Sequence, residues 1–550
     1  MTCQQSRPAP RDSRISRRCT IFALVLSVLL LATPPIGVLA SAGDLDKSFG
    51  SKGKVITGFL RADAAATSVV VQQDGKIVAG GGLTIADSDT ADTFCMARYN
   101  PDGSIDSSFG QGGTVITPLS PQDLRVRPLH DRPFSSFSTY LAIQNDRKIV
   151  TTLPGFALAR YNTDGTLDHD FGGSGIVATQ FDAGAVARAI AIQSDGKIVT
   201  AGLTGNLFIK SSFAVVRFND DGSLDQTFGT RGVATCDFLE SSGAYVVGIQ
   251  ANGKIVVAGG TGRASTFPQL FAVARFDPNG ALDATFGVGG KVTTAFYPDA
   301  TATPQAMALL PTGKILVAGQ LGDVRGTRTP FAVVHYNADG SLDTSFGDGG
   351  TAVIENSLCG ASAAAAFTKE GKIVAVGYGC GHKFQLARFN RDGSLDTGFA
   401  SAGTVTTKFG ASFSERALAL SIQSDGKIVA AGSTEDVFSS FALSRYDQET
   451  GDFAVAFDAA TIDAIRGTKI RAVLNISRTG GFSGNVTVSH TGSASVALKV
   501  KPALISTTAG SVSYKVTILP DAQAGPQLIS FTGKDESGRE REATLTLVIR

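Results

Sequence analysis

Three short phrases with ionisable side chains recur seven times along the 550-residue chain. One is Leu-Asp-x-Ser-Phe-Gly with variations, the second is Asp-Gly-Lys-Ile-Val, and the third is close to Phe-Ala-x-x-Arg-Tyr-Asn. Carboxylates beside cations are used in general acid–base catalysis when they converge on one pocket. Seven copies spread along the chain instead favour a structural role, in which each Arg pairs with its Asp across a hairpin.

The ionisable members of these phrases keep regular positions. The aspartates are Asp46, Asp106, Asp168, Asp225, Asp283, Asp343 and Asp396. The lysines are Lys76, Lys148, Lys197, Lys254, Lys314, Lys372 and Lys427. The arginines are Arg98, Arg160, Arg217, Arg275, Arg388 and Arg445, with His335 in the remaining place. Because each Lys follows a tight turn, we expect it to be solvated or to lie along the sheet with its stem buried.

Other motifs that carry chemistry are missing from the sequence. The segment from Asn219 to Asp225 superficially resembles a calcium loop, but it lacks the alternating ligands and the distal Glu of an EF-hand. The Cys spacing matches no zinc pattern, and there is no nucleophile elbow, zinc-protease motif or phosphate loop. The sequence therefore predicts no catalytic residue, no cofactor and no metal site.

Each repeat is predicted to form four antiparallel strands. In the third repeat these are residues 187–193, 197–201, 213–218 and a fourth strand that opens at 223–228 and continues to 235. Asp-Gly turns join the first strand to the second and the third to the fourth. Seven such units predict an all-β fold, a seven-bladed β-propeller, with a β-solenoid as the alternative.

The order of the phrases predicts how the ring closes. The chain begins its repeats with the aspartate phrase at Asp46, whereas the last repeat ends after Arg445 without a clear copy of that phrase. We therefore expect the N-terminal strand to complete the last blade, with Asp46 and Arg445 as the ring-closure pair. Closure removes the exposed edges of an open array.

The two ends of the chain predict an exported protein with three segments. Arginines precede a short apolar run from Ile21 to Ala32, and Ala40-Ser41-Ala42 fits a cleavage site, so residues 1–42 are predicted to be a signal peptide. Residues 43–458 are the predicted propeller, and residues 459–550 alternate like a small antiparallel β-sandwich. We expect a periplasmic, cell-surface or extracellular location, with no membrane span after cleavage and a monomeric state.

The net charge of the chain bears on which classes of ligand it could bind. The first 42 residues hold five Arg and one Asp, so their removal leaves a net charge of −3 from the +1 of the whole chain. The remaining chain therefore has no excess of basic residues that would predict binding to nucleic acid.

Cys359 and Cys380 flank a hairpin in which a two-residue turn at Glu370-Gly371 would put them one diagonal apart. We therefore expect a disulfide between them, with Cys95 and Cys236 unpaired.

The three phrases resemble the delta-60 repeat, an uncharacterised bacterial repeat thought to form β-propellers, over residues 44–450. That resemblance implies the fold and brings no established activity, ligand or catalytic residue. Gly480 to Thr487 and Ala543 to Val548 resemble immunoglobulin-like modules of secreted bacterial proteins, which implies a spacer or adhesive unit. The module lacks the Cys-Trp-Cys core of antibody domains.

Two hypotheses about function follow. The loops between the second and third strands differ from blade to blade, and the longest departure is the connection at 118–138. Variable loops on a rigid scaffold commonly carry function. The first hypothesis is a secreted, non-enzymatic binding, adhesion or scaffold protein that meets an extracellular protein or glycan. The alternative is an extracellular hydrolase or lyase acting on a polysaccharide or sugar, with residues gathered from several blades.

Overall fold

The computed structural model describes residues in 22 segments of the chain, and these contain strands and turns but no helix. The described segments are 42–59, 62–85, 93–119, 139–179, 181, 184–206, 210–238, 240–262, 270–297, 300–323, 330–354, 361–378, 383–400, 402–410, 414–436, 438–447, 453–478, 486–492, 498–501, 504–507, 510–535 and 540–550. Within them, no helix has the length and apolar character needed to cross a bilayer.

Seven four-stranded antiparallel sheets form the blades of a propeller. The first strand of the chain is β1 (Lys54–Thr57). Blade 1 comprises β2 (Ala62–Val71), β3 (Ile77–Ile85), β4 (Thr93–Tyr99) and β5 (Thr114–Pro118). Blade 2 comprises β6 (Leu141–Ile143), β7 (Ile149–Leu153), β8 (Ala157–Tyr161) and β9 (Ile176–Ala178). Blade 3 comprises β10 (Val186–Ile192), β11 (Ile198–Asn206), β12 (Lys210–Phe218) and β13 (Val233–Cys236).

The remaining blades repeat this order. Blade 4 comprises β14 (Ser242–Ile249), β15 (Ile255–Thr261), β16 (Leu270–Phe276) and β17 (Lys291–Thr294). Blade 5 comprises β18 (Ala300–Leu309), β19 (Ile315–Asp323), β20 (Phe331–Tyr336) and β21 (Thr351–Ile354). Blade 6 comprises β22 (Ala361–Phe367), β23 (Ile373–Tyr378), β24 (Phe384–Phe389) and β25 (Thr404–Thr407). Blade 7 comprises β26 (Ser414–Ile422), β27 (Ile428–Glu435), β28 (Ser439–Tyr446) and β1.

The ring closes through the N-terminal strand. β1 pairs with β28, with Lys54 opposite Ser444 and Thr57 opposite Phe441. The first strand of every blade contacts its counterparts in the two neighbouring blades, including β26 of blade 7 with β2 of blade 1. The first strands therefore surround the propeller axis, and the fold is the predicted seven-bladed propeller.

Apolar side chains between adjacent blades form the core of the propeller. One cluster joins blades 7 and 1 and includes Phe441 and Leu443 together with Ala64 and Ile77. Comparable clusters join the other neighbouring blades. Burying large apolar areas between blades stabilises the ring and holds its strands in fixed register.

Two local predictions about the repeat are wrong. The segment predicted to open the fourth strand of blade 3 forms a turn, in which Phe228 N donates to Asp225 O at 3.0 Å, and the strand begins only at Val233. In blade 6 the turn holds three residues, because Thr368 N donates to Lys372 O at 2.8 Å. Gly371 there has a φ of 78°, which suits the third position of such a hairpin.

The chain continues into a two-sheet sandwich. Its strands are β29 (Phe453–Phe457), β30 (Thr461–Ala464), β31 (Lys469–Arg478), β32 (Val486–Gly492), β33 (Leu498–Lys501), β34 (Leu504–Thr507), β35 (Ser511–Ile518), β36 (Gly525–Asp535) and β37 (Glu540–Ile549). One sheet has the order β29-β31-β35-β33 and the other β30-β37-β36-β32-β34. Apolar residues of both sheets, such as Leu474, Tyr514, Phe531 and Leu547, share one core.

The sandwich differs from the prediction at its boundary and in one pairing. β29 pairs with β31, so this module begins before the predicted residue 459. β30 pairs in parallel with β37, so the sheets are not wholly antiparallel. At the other predicted boundary, Ala42 is buried and its O accepts a 2.7 Å hydrogen bond from Ala400 N. Ala42 is therefore part of the propeller and not of the preceding segment.

The predicted disulfide lies outside the described residues, as does most of the 118–138 connection. Cys95 and Cys236, the cysteines that are described, are buried and unpaired. Burial raises the pKa of Cys95 well above its ordinary value and that of Cys236 to about 12. Both thiols are therefore protonated at neutral pH.

We still expect Cys359 and Cys380 to be joined in the oxidised protein. Ala361 and Tyr378 are direct partners across β22 and β23, and each cysteine lies two residues beyond one of them in the sequence. Direct partners in antiparallel strands have the Cα separation that a disulfide requires. Peptide mapping without reduction should give a cross-linked peptide that contains both residues. Two free thiols at these positions in protein purified from an oxidising compartment would contradict this prediction.

Candidate functional site

The repeated Lys, Arg and Asp meet in the same way in each blade. In blade 1, Arg98 Nε donates to Asp106 Oδ2 at 2.7 Å, and Lys76 Nζ donates to the same oxygen at 2.8 Å. Ser108 Oγ donates to Asp106 Oδ1 at 2.6 Å. The two carboxylate oxygens are therefore shared between two cations and a turn hydroxyl. We call such a group an Arg–Asp–Lys triad.

Corresponding contacts occur in the other blades. The Lys Nζ to Asp Oδ2 distances are 2.9 Å for Lys148–Asp168, 3.0 Å for Lys197–Asp225, 2.7 Å for Lys254–Asp283, 2.7 Å for Lys314–Asp343, 2.9 Å for Lys372–Asp396 and 2.6 Å for Lys427–Asp46. The Lys–Asp pair is a feature that the sequence interpretation missed. The sequence feature that could have indicated this pair is that each repeat has one recurring Asp for two recurring basic residues.

In five blades, the arginine of the triad also donates to a backbone oxygen of the next blade. Arg217 Nη1 donates to Pro278 O at 2.6 Å, and Arg275 Nη1 donates to Ala338 O at 2.6 Å, across the interfaces between blades 3 and 4 and between blades 4 and 5. The Arg98 guanidinium carbon lies 4.4 Å from the centre of the Phe109 ring, a cation–π contact that recurs in the other Arg-containing blades. The triads therefore help to hold neighbouring blades together.

The predicted ring-closure pair meets in this arrangement. Arg445 Nε donates to Asp46 Oδ2 at 2.7 Å, the same distance as between Arg98 and Asp106, and Lys427 Nζ donates at 2.6 Å. Burial alone would raise the pKa of Asp46, but hydrogen bonds from Lys427 and Ser48 and the charge of Arg445 outweigh it. The pKa of Asp46 therefore lies well below its ordinary value of 3.8.

Blade 5 has a histidine where the other blades have the arginine. His335 Nδ1 lies 3.1 Å from Asp343 Oδ2, while its Nε2 is buried without a hydrogen-bond partner. Burial lowers the pKa of His335, the Asp343 charge opposes this, and the Lys314 charge adds to it. The shorter, neutral ring does not provide the second donor with which Arg reaches the next blade.

Restoring the arginine is expected to stabilise the protein. His335→Arg should raise the free energy of unfolding by about 1 kcal/mol, because it adds a hydrogen-bond donor where Nε2 is now unpaired. Arg275→His, the reverse change in blade 4, should lower it by a similar amount. Urea unfolding at pH 7 measures both. A loss of stability in His335→Arg equal to that in Arg275→His would contradict the assignment of the interblade contact.

The first strands supply the chemistry around the axis. Six of them carry a β-bulge, and the unpaired bulge residues differ in type among the blades. These residues are Thr67, Arg188, Tyr245, Gln305, Ala363 and Leu418. The Arg188 guanidinium carbon lies 4.5 Å from the centre of the Tyr245 ring. The polar members offer hydrogen-bonding and aromatic groups for binding, and this set contains no carboxylate or histidine for proton transfer.

Two carboxylates do lie on the first strands of neighbouring blades. Asp63 Oδ1 accepts a 2.7 Å hydrogen bond from Ser439 N, and Glu415 Oε1 accepts a 2.6 Å bond from Phe409 N. Both therefore contact backbone N–H groups, that of Ser439 at the start of β28 and that of Phe409 in the segment after β25. In the described ranges, no group of three or more His, Cys, Asp or Glu is arranged to hold a metal ion.

Comparisons with solved structures give low scores. The endo-arabinase from Bacteroides thetaiotaomicron VPI-5482 aligns at 7% identity and a TM-score of 0.28, over 66% of this chain and 98% of that one. Domains 4 and 5 of the S-layer protein SbsC align at 14% identity and a TM-score of 0.15, over 30% of this chain and 88% of that one. TM-scores this low do not establish a shared fold. The sequence matches no curated protein.

A family model does match the repeats. Its description is "Domain of unknown function (DUF5122) beta-propeller", and the matched residues are 72–109, 144–171, 193–228, 250–286, 310–346, 370–399 and 423–451. The first six segments each end on the Phe of the aspartate phrase and contain the Lys, the Asp and the Arg or His of one blade. The seventh contains Lys427 and Arg445 but no matching Asp, which comes from the N-terminal strand. With seven matched segments on seven blades, the chain is a repeat β-propeller protein.

Proposed function

We propose that this is an exported, non-enzymatic binding or surface scaffold protein whose propeller presents the variable loops between the second and third strands. The triads carry this proposal: in the described blades, the ionisable groups that recur in the repeats are engaged with one another and with the neighbouring blade. Such an arrangement gives a rigid ring rather than a set of groups free to act on substrate. Most residues of the variable loops lie outside the described segments.

Export and the finer family relationships belong to the same proposal. The apolar run after the N-terminal arginines supports a signal peptide, and the three phrases support a delta-60 type of repeat. The two-sheet arrangement of residues 453–550 supports an immunoglobulin-like module that spaces the propeller from, or attaches it to, a surface. An extracellular protein or glycan is the proposed partner class.

The proposal is tested with the chain lacking residues 1–41, probed against glycan and secreted-protein arrays. Replacing residues 263–269 in blade 4 with a Gly-Ser segment of equal length is expected to weaken capture of a partner that binds the variable loops. The matched control is Ala251→Ser, an exposed position in the turn between β14 and β15, at the opposite end of β15. Capture that resists replacement of this segment in every blade would exclude the variable loops.

The same samples distinguish the alternative hypothesis. Release of new reducing ends from any polysaccharide on the array, lost on substitution of residues around the propeller axis, would support an extracellular hydrolase. Binding without release supports the scaffold role.

A further inference from the structure

The outer face of one sandwich sheet carries an unusual concentration of positive charge. Lys469 and Arg471 on β31 and Lys515 on β35 are exposed, and all three line a shallow depression of about 370 Å³ between the two strands. We call these three residues the basic face. In register, Arg471 is directly opposite Lys515. Two cations thus face each other across neighbouring strands, and Lys469 lies two residues before Arg471 on the same strand.

This arrangement costs stability. Like charges directly opposite each other in an antiparallel pair repel, and neighbouring strands are only about 5 Å apart. Within the described residues, no carboxylate lies within ion-pairing distance of Lys469, Arg471 or Lys515. Arg471 donates instead to Ser513 Oγ, from Nε at 3.2 Å and from Nη2 at 2.7 Å. Among the described residues of the module, nothing therefore compensates this repulsion.

The other sheet of the same sandwich shows the ordinary pattern. Lys534 on β36 is directly opposite Glu540 on β37, with 3.0 Å between Nζ and Oε1. The neighbouring row contains Ser489, Thr532 and Glu542. Lys534 on that face is thus matched by a carboxylate, whereas Arg471 and Lys515 on the basic face are opposite each other and Lys469 is opposite Thr517.

The sandwich module as a whole also carries a net positive charge. Residues 453–550 contain 11 Lys and Arg against 7 Asp and Glu, although the chain without its first 42 residues is net negative. The basic face therefore does not reflect a generally basic protein. Its charge is local, and local charge of one sign on an exposed surface attracts a ligand of the opposite sign.

We propose that the basic face binds a linear anionic polysaccharide. Cations on strands about 5 Å apart in a flat sheet can contact successive carboxylates, phosphates or sulfates of an extended polymer. The depression between β31 and β35 gives such a chain a place to lie, and the hydroxyl of Ser513, which accepts from Arg471, can still donate to its sugar hydroxyls. The basic face offers no large exposed apolar side chain for insertion into a lipid surface. It also offers no exposed aromatic side chain on which bases could stack.

The test uses the chain lacking residues 1–41 and fluorescent polygalacturonate as the probe. The triple variant Lys469→Gln, Arg471→Gln, Lys515→Gln removes the basic face. The control triple variant Lys534→Gln, Arg541→Gln, Arg550→Gln removes the same charge from the same module, and two of its residues have carboxylate partners in Glu540 and Asp463. Fully methyl-esterified polygalacturonate, phosphatidylglycerol vesicles and double-stranded DNA serve as comparison ligands.

We expect the basic-face variant to bind polygalacturonate roughly tenfold or more weakly than wild type, and the control variant to stay within about twofold. Wild-type binding should weaken steeply with added salt and be absent for the esterified polymer. The basic-face variant should have the same or higher thermal stability than wild type, because the substitutions remove charges that repel one another. Equal loss of binding in both variants, or tighter binding to vesicles or DNA than to polygalacturonate, would overturn the proposal.

Discussion

Replacing Gly202 by alanine is expected to lower the free energy of unfolding by about 3 kcal/mol. Gly202 lies on the second strand of blade 3, opposite the β-bulge between Ala187 and Ala189. A Cβ placed there would lie 1.9 Å from Val186 O, so the backbone of the first strand would have to move. The φ of Gly202 is not in the left-handed region, so the expected loss is steric and not conformational.

Gly410→Ala is the matched control for this substitution. Gly410 is exposed, also has an ordinary φ, and a Cβ there meets nothing within 4 Å. We expect its effect to stay within about 0.5 kcal/mol. Urea unfolding followed by circular dichroism measures both variants. Similar losses in the two would show that the bulge does not approach Gly202 closely.

The same close approach recurs around the ring. A Cβ at the equivalent glycine would lie 1.8 to 2.2 Å from a carbonyl oxygen of the first strand at Gly81, Gly259, Gly319 and Gly432. The bulge adds one residue to six of the seven first strands, and the type of that residue differs among the blades. The glycine on the second strand therefore lets the bulged first strand approach closely, whichever residue type occupies the bulge.

Spacing in the sequence was sufficient to predict the blades and the closure of the ring. Asp-Gly turns and seven-fold phrases fix strand order, because each turn joins strands that must pair. The bulges could not be predicted in this way, since a Gly within a strand has the same spacing whether or not a bulge faces it. The Lys197–Asp225 contact was missed because it joins residues 28 apart, whose meeting depends on the register of two hairpins.

The end of the propeller was misplaced for a related reason. Phe453, Val455 and Phe457 alternate with small or polar residues, a pattern that suits an edge strand of either module. Only the pairing of Phe453 with Arg478 and of Phe457 with Leu474 assigns this strand to the sandwich. Alternation identifies a strand but does not identify its partner.

The ring-closure pair gives the second large expected effect. Asp46 and Arg445 are both buried, with relative exposures of 5% and 6%, and Lys427 donates to the same carboxylate. Asp46→Ala removes the carboxylate that Arg445 and Lys427 share where the N-terminal strand meets the last repeat, while Lys427 keeps its 3.3 Å contact with Asp447 Oδ1. We expect a loss of about 3 kcal/mol in the free energy of unfolding, because removing one member of a buried ion pair leaves the other charge uncompensated.

Asp106→Ala is the comparison that isolates closure, since its triad has the same geometry but its three residues come from one stretch of chain, residues 76–106. If residues 42–57 dock firmly in blade 7, the two substitutions cost similar amounts. A large effect of Asp106→Ala with none for Asp46→Ala would mean that the N-terminal strand contributes little to the ring. Acid supplies a second readout, because the folded-state pKa of Asp46 is lowered. Its contribution is fully present above its ordinary pKa and is lost as pH falls, so the difference between wild type and Asp46→Ala should shrink below about pH 4.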